Sequence, residues 1–187
     1  MVEDIKLYMD DAKERMQKAL AHLENELVKI RAGKASPAML ETVTVEYYGA
    51  KVPLNQVANI NTADARSLVI QPWEKKMIDV IEKAIFAANL GLTPINNGEV
   101  IRINIPPLTE ERRLTLVKQV KHEGEIAKVS IRNIRRETIE EIKKLQKQGV
   151  AEDEIKHAEE EMQKMTDNFS KKVDEILHHK ETEIMAV

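Results

Sequence analysis

The sequence predicts an α+β protein: a long three-helix bundle with a small β/α/β domain inserted between its first and second helices. Three observations predict it. Apolar residues recur every three or four positions over three long segments, which is the helical period. Between the first and second of these the period falls to two, as in half-buried strands. Glycine and proline stand at the changeovers, at Gly33, Pro37 and Pro106-Pro107. The predicted bundle is residues 1–31 with 106–187, the insert is residues 32–105, and the hinges lie near 31–32 and 105–107.

The first helix is predicted from about Val2 to Arg31. Its seam is Ile5, Met9, Ala12, Met16, Leu20, Leu23, Leu27 and Ile30. Gly33 frees the backbone after it, and Pro37 disfavours helix at Ser36. In the insert, Val43, Val45 and Tyr47 alternate as a strand, and Tyr48-Gly49-Ala50-Lys51 reads as a turn. Residues 56–61 and 67–71 are further strand candidates. Lys75 to Asn89 is a short amphipathic helix on Met77, Val80, Ile81, Ala84, Ile85 and Ala88. Asn89-Leu90-Gly91 closes it, Asn96-Asn97-Gly98 turns, and Val100 to Ile105 alternates as a last strand.

Pro106-Pro107 gives a stiff, non-helical exit, because two prolines remove donors and fix φ. Thr109 can cap the next helix, with Glu110 and Glu111 placed against its dipole. The seam of that helix is Val117, Val120, Gly124, Ala127, Ile131, Ile134, Ile142 and Leu145, and Gly149 stops it. The last helix runs from about Ala151 on Ile155, Ala158, Met162, Met165, Phe169, Val173, Ile176 and Ile184. Three such stripes are buried by packing the helices together. Two chain crossings then join the bundle to the insert, a joint that permits relative motion.

Composition bounds the chemistry. Of 187 residues 33% are charged and 3% aromatic, which suits long solvated helices. With no cysteine there is no disulfide, thiolate metal site or cysteine nucleophile. The acidic start is not a secretory or transit signal, and no segment has the apolar length to span a bilayer, so a cytoplasmic location is expected.

The net charge of −3 is unevenly spread: residues 108–149 carry 11 basic and 7 acidic side chains, and residues 150–187 carry 5 and 11. On a wheel of about 100° per residue, Lys118, Lys121, Lys128, Arg132, Arg135, Arg136 and Lys143 share a sector roughly 100° wide, beside the apolar seam. Glu125 intrudes on it. A rod with a positive stripe suits a polyanion, since arginine forks to phosphate oxygens and each neutralised phosphate releases counterions. The alternative is a helical protein-interaction adaptor or holdase whose stripe is only solvation.

A second basic cluster runs from Lys29 to Ser36. Its Gly33-Lys34 is not a phosphate loop: the first glycine would fall at Val28, and no strand precedes it. Cations at a helix C-terminus account for Lys29 and Arg31. His22, His122, His157, His178 and His179 are scattered, and no catalytic set, metal site or cofactor motif is present. Trp73 and Tyr47-Tyr48 could stack on bases or anchor the small domain.

Several stretches resemble the bacterial ribosome recycling factor family. They are Lys29 to Pro37, Val45-Glu46-Tyr47-Tyr48-Gly49, Asn89 to Pro94, Ile105 to Arg113, and Arg132-Asn133-Ile134-Arg135-Arg136. Lys34 stands where the family often has arginine, which keeps the charge but loses the fork. The resemblance implies an L-shaped monomer of near-tRNA dimensions with a hinged small domain, the hinge falling at Arg31, Ala32, Ile105, Pro106 and Pro107. It implies a non-enzymatic translation factor that binds the post-termination ribosome. With elongation factor G and GTP, such a factor splits the subunits and frees mRNA and tRNA. Residues on matching motifs, Arg31, Lys34, Arg132, Arg135 and Arg136, are expected on large-subunit ribosomal RNA, with Lys121 and Lys128 joining them from the stripe.

Overall fold

The structure is a computed structural model that describes residues 2–30 and 33–186. The chain divides into two compact units. One combines the N-terminal segment with Glu110–Ala186, and the other is Gly33–Thr109.

The first unit holds three long helices, α1 (Glu3–Lys29), α3 (Glu110–Gln146) and α4 (Glu152–Ala186), each packed on the other two. Helix α3 has 37 residues, about 55 Å at 1.5 Å per residue. In α1 the seam buries Ile5, Met9, Ala12, Met16, Leu23 and Leu27, while Leu20 and Ile30 are half-buried at its margin. In α3 the buried line starts at Leu116, with Val117 half-buried, and Thr138 fills the step between Ile134 and Ile142. In α4, Thr166 takes the core position beside the half-buried Met165, and its hydroxyl donates to the Met162 carbonyl at 2.8 Å. A threonine is tolerated there because the preceding turn supplies the acceptor.

Helices α3 and α4 run antiparallel. The residue numbers that meet across them rise on one as they fall on the other: Lys128 with Asp174, Lys143 with Glu159, Arg113 with the Met185 carbonyl. Gly149, at φ 100°, takes the left-handed turn that a residue with a Cβ avoids, and α4 begins three residues later.

The second unit contains a hairpin, β1 (Thr44–Tyr47) with β2 (Ala50–Pro53), and an antiparallel sheet of order β3-β4-β6-β5. These four strands are Ala58–Asp64, Ser67–Pro72, Ile101–Asn104 and Pro94–Asn96, the last two being β6 and β5. Helix α2 (Ile78–Ala87) follows a short 3-10 turn at Lys75–Met77. The core gathers Val45, Leu68, Ile70, Ile81, Ile101 and Ile103, all at most 2% exposed. Ile78 is the buried residue of the first turn of α2, and Val80 faces outward. The hairpin turn is tighter than the sequence implied. Tyr48 (φ 47°) and Gly49 (φ 81°) form it alone, so Ala50 and Lys51 already pair with Tyr47 and Glu46. Two successive positive φ values match the twist of a two-residue hairpin loop.

Both ends of this unit are stitched to one turn. Ala35 N–H donates to the Ala65 carbonyl at 2.8 Å, and Ile105 N–H donates to the Arg66 carbonyl at 2.7 Å. Leu108 lies over Gly33, where a Cβ would come within 2.8 Å of its Cγ, so residues 106–109 pack with this unit.

Candidate nucleic-acid interface

Helix α3 carries the basic stripe as continuous α-helix, so the residues 121, 128, 132, 135 and 136 keep fixed spacing along one rod. Burial of Val120, Gly124, Ala127, Ile131, Ile134 and Ile142 turns that seam inward; Lys128, Arg135, Arg136 and Lys143 then lie beside α4, while Lys118 lines a groove with Glu26 and Lys29 of α1. Lys118, Lys121, Arg132, Arg136 and Lys143 are exposed, and Lys128 and Arg135 are half-buried.

These cations fall into two groups. Three are held by carboxylates: Lys128 by Asp174 at 2.6 Å, Lys143 by Glu159 at 2.9 Å, and Arg132 by Glu125 on the same helix at 2.7 Å. Among the described residues, Lys118, Lys121, Arg135 and Arg136 have no carboxylate partner within salt-bridge distance. Arg135 and Arg136 line an open groove between α3 and α4 with Lys143 and with Glu140, Glu159 and Glu160. Adjacent guanidiniums not held in an ion pair can fork to phosphate oxygens.

Of the other expected contacts, Lys34 is exposed on the smaller unit, just before Ala35 pairs with Ala65. Arg31 and Ala32 lie outside the described residues. Ile105 is buried at 8% exposure, while Pro106 and Pro107 are exposed in a non-helical segment.

A polar cluster on the smaller unit went unread in the sequence. Tyr47 donates to Glu74 at 2.7 Å, Lys76 donates to the Tyr48 hydroxyl at 2.6 Å, and Lys76 also pairs with Glu74 at 3.2 Å. The hydrogen bond to Glu74 raises the Tyr47 pKa, and the same bond, followed by that from Lys76, lowers that of Glu74. Tyr47 is thus committed to holding the hairpin on the segment before α2. Tyr48 and Trp73 stay exposed, at 74% and 60%. Among the described residues no three His, Cys, Asp or Glu side chains converge as a metal site, and no helix is long and apolar enough to cross a membrane.

Comparison with known proteins agrees across the chain. The sequence pattern of the family described as Ribosome recycling factor matches residues 23–185. The ribosome-recycling factor of Flavobacterium psychrophilum is 56% identical over 187 residues, covering all of both chains. That of Cytophaga hutchinsonii is 55% identical over 186 residues, again covering all of both. A solution structure of the ribosome recycling factor superposes with a TM-score of 0.73 at 41% identity over all of both chains. A second solved chain matches with a TM-score of 0.59 at 48% identity, covering 96% of this chain and 98% of that one. It comes from models of the T. thermophilus ribosome recycling factor and E. coli elongation factor G bound to the E. coli post-termination complex. The chain belongs to the ribosome recycling factor family.

Proposed function

We propose, from membership of the ribosome recycling factor family, that this protein binds the post-termination ribosome. With elongation factor G and GTP it splits the subunits, freeing mRNA and tRNA for another round. The observation that carries this is the family match over residues 23–185. The protein is a translation factor and not an enzyme; the energy comes from GTP hydrolysis on elongation factor G. A cytoplasmic location follows from that role.

The α3 stripe is the surface that meets large-subunit ribosomal RNA, through Lys121, Lys128, Arg132, Arg135 and Arg136, with Lys34 and Arg31 as further contacts. What supports this is the alignment of those α3 cations on one flank of a rigid helix, two adjacent arginines among them in no ion pair among the described residues. The segments at 31–32 and 105–107 serve as hinges, so that elongation factor G moves the smaller unit while the bundle holds RNA. The test is a subunit-splitting assay with purified ribosomes, elongation factor G and GTP. Splitting that depends on the protein is expected; none above the background without it would overturn the reading.

A further inference from the structure

We propose that Asp174 and Glu159 of α4, with Glu125 of α3, act as built-in phosphate surrogates. They hold Lys128, Lys143 and Arg132 in competition with RNA, and so set how tightly and how reversibly the bundle grips the ribosome. This rests on the RNA-contact reading above and extends it to Lys143, a further cation of the same stripe.

Three observations carry it. A carboxylate oxygen 2.6 to 2.9 Å from an ammonium or guanidinium nitrogen sits where a phosphate oxygen would sit. The competitors are placed by the fold. The antiparallel register of α3 and α4 brings Asp174 to Lys128 and Glu159 to Lys143. The last segment of the chain, residues 150–187, supplies them from a surplus of 11 acidic over 5 basic side chains. Finally, each pair keeps at least one solvent-exposed member. Asp174 is 61% exposed beside Lys128 at 28%, Lys143 59% beside Glu159 at 31%, and Glu125 and Arg132 62% and 53%, and ion pairs open to solvent are weak.

Two classes of contact result. Lys121, Arg135 and Arg136 meet phosphate with no pair to break among the described residues. Lys128, Arg132 and Lys143 must each leave a carboxylate to reach phosphate. While a pair persists, its cation neutralises no phosphate and releases no counterion, so the salt dependence of binding is shallower. The grip is therefore weaker and less salt-sensitive than the number of stripe cations suggests, which suits a factor that must leave after every round.

The test measures binding of the full chain to purified ribosomes between about 50 and 200 mM salt. Asp174→Asn and Glu159→Gln are expected to tighten binding roughly two- to five-fold each, the range of an exposed pair. Each should steepen the salt slope by about 0.7 to 0.9. Glu175→Gln is the control. It removes the same charge one residue from Asp174, but on the side of α4 that faces α1, beside Glu24 and Leu27. It is expected to leave the slope unchanged. In a Lys128→Gln background, Asp174→Asn should have no effect. Far-UV circular dichroism establishes that each variant keeps its helices. Equal effects of Asp174→Asn and Glu175→Gln would mean a general charge effect and overturn the proposal, as would an unchanged slope in Asp174→Asn. If Arg135→Gln and Arg136→Gln fail to weaken binding, the RNA-contact reading falls, and this inference with it.

Discussion

Gly124 of α3 and Leu177 of α4 are in such close approach that a Cβ on Gly124 would collide with the Leu177 side chain. Gly124 is itself buried in the α3 seam with an ordinary helical backbone, so the glycine is there for space and not for φ. Two effects oppose each other in Gly124→Ala. Helix propensity favours alanine by about 1 kcal/mol. Overpacking costs about 1 to 3 kcal/mol, because Leu177 must leave its rotamer or the helices must part. A net loss on the order of 1 kcal/mol and a lower Tm are expected in urea and thermal unfolding. In a Leu177→Ala background, itself destabilised by lost packing, Gly124→Ala should cost little or nothing, and additive losses would mean that the two side chains do not meet.

Arg135 and Arg136 should behave differently from Arg132. All three can offer a guanidinium to RNA, but Arg132 already holds Glu125 at 2.7 Å. Neutralising Arg135 or Arg136 to Gln is expected to lower the salt slope of ribosome binding by about 0.7 to 0.9 each. Arg132→Gln should change it by less, since it frees Glu125 as it removes the cation. Equal slope changes at all three positions would show that the Glu125 pair is not kept in solution.

The long helices were legible because their period is sustained over 27 to 37 residues. What was missed depends on partners. The β2 segment Ala-Lys-Val-Pro half-buries only Val52 and has no alternation of its own; pairing with β1 makes it a strand. The β5 segment is three residues long and begins with proline. At Leu116-Val117 two apolar neighbours both fit the period, and packing chose Leu116. The stripe could be read from one helix. Its pairing to Asp174 and Glu159 could not, because that needs the register between two helices. Lys76 with Glu74 was close in sequence, but its link to Tyr47 and Tyr48 required the hairpin to fold back.

The Tyr47–Glu74 bond predicts a pH dependence at both ends of the scale. Glu74 has its folded pKa depressed, first by Tyr47 and then by Lys76. Its contribution is therefore present at neutral pH and lost as pH falls from the ordinary glutamate range through the folded pKa. Tyr47 has its folded pKa raised, first by the same bond. That contribution is present below the ordinary tyrosine pKa and lost as pH rises through the folded one. In Tyr47→Phe, carbon-detected NMR titration should show the Glu74 carboxylate moving up towards its ordinary pKa. A Glu74 titration identical to that of the parent protein would mean that the bond does not form in solution.

The connection at residues 105–107 should matter for splitting more than for binding. Ile105 is pinned by its N–H to the Arg66 carbonyl at 2.7 Å, and Pro106 and Pro107 follow without regular structure. Residues 106–109 pack with the smaller unit, and two prolines hold the segment at 106–107 to a narrow range of φ, which would limit the directions open to the proposed hinge. Replacing both by glycine lowers stability by roughly 0.4 to 1 kcal/mol per site through the unfolded chain alone. It removes none of the stripe cations. Ribosome affinity should therefore stay near that of the parent. The rate of subunit splitting driven by elongation factor G and GTP should fall several-fold, because the proposed hinge is then no longer limited to a narrow set of backbone directions. Stopped-flow light scattering gives the splitting rate and co-sedimentation the affinity. A parallel loss of both would place these prolines in the binding surface. An unchanged splitting rate would mean that the stiffness of this segment plays no part in the working step.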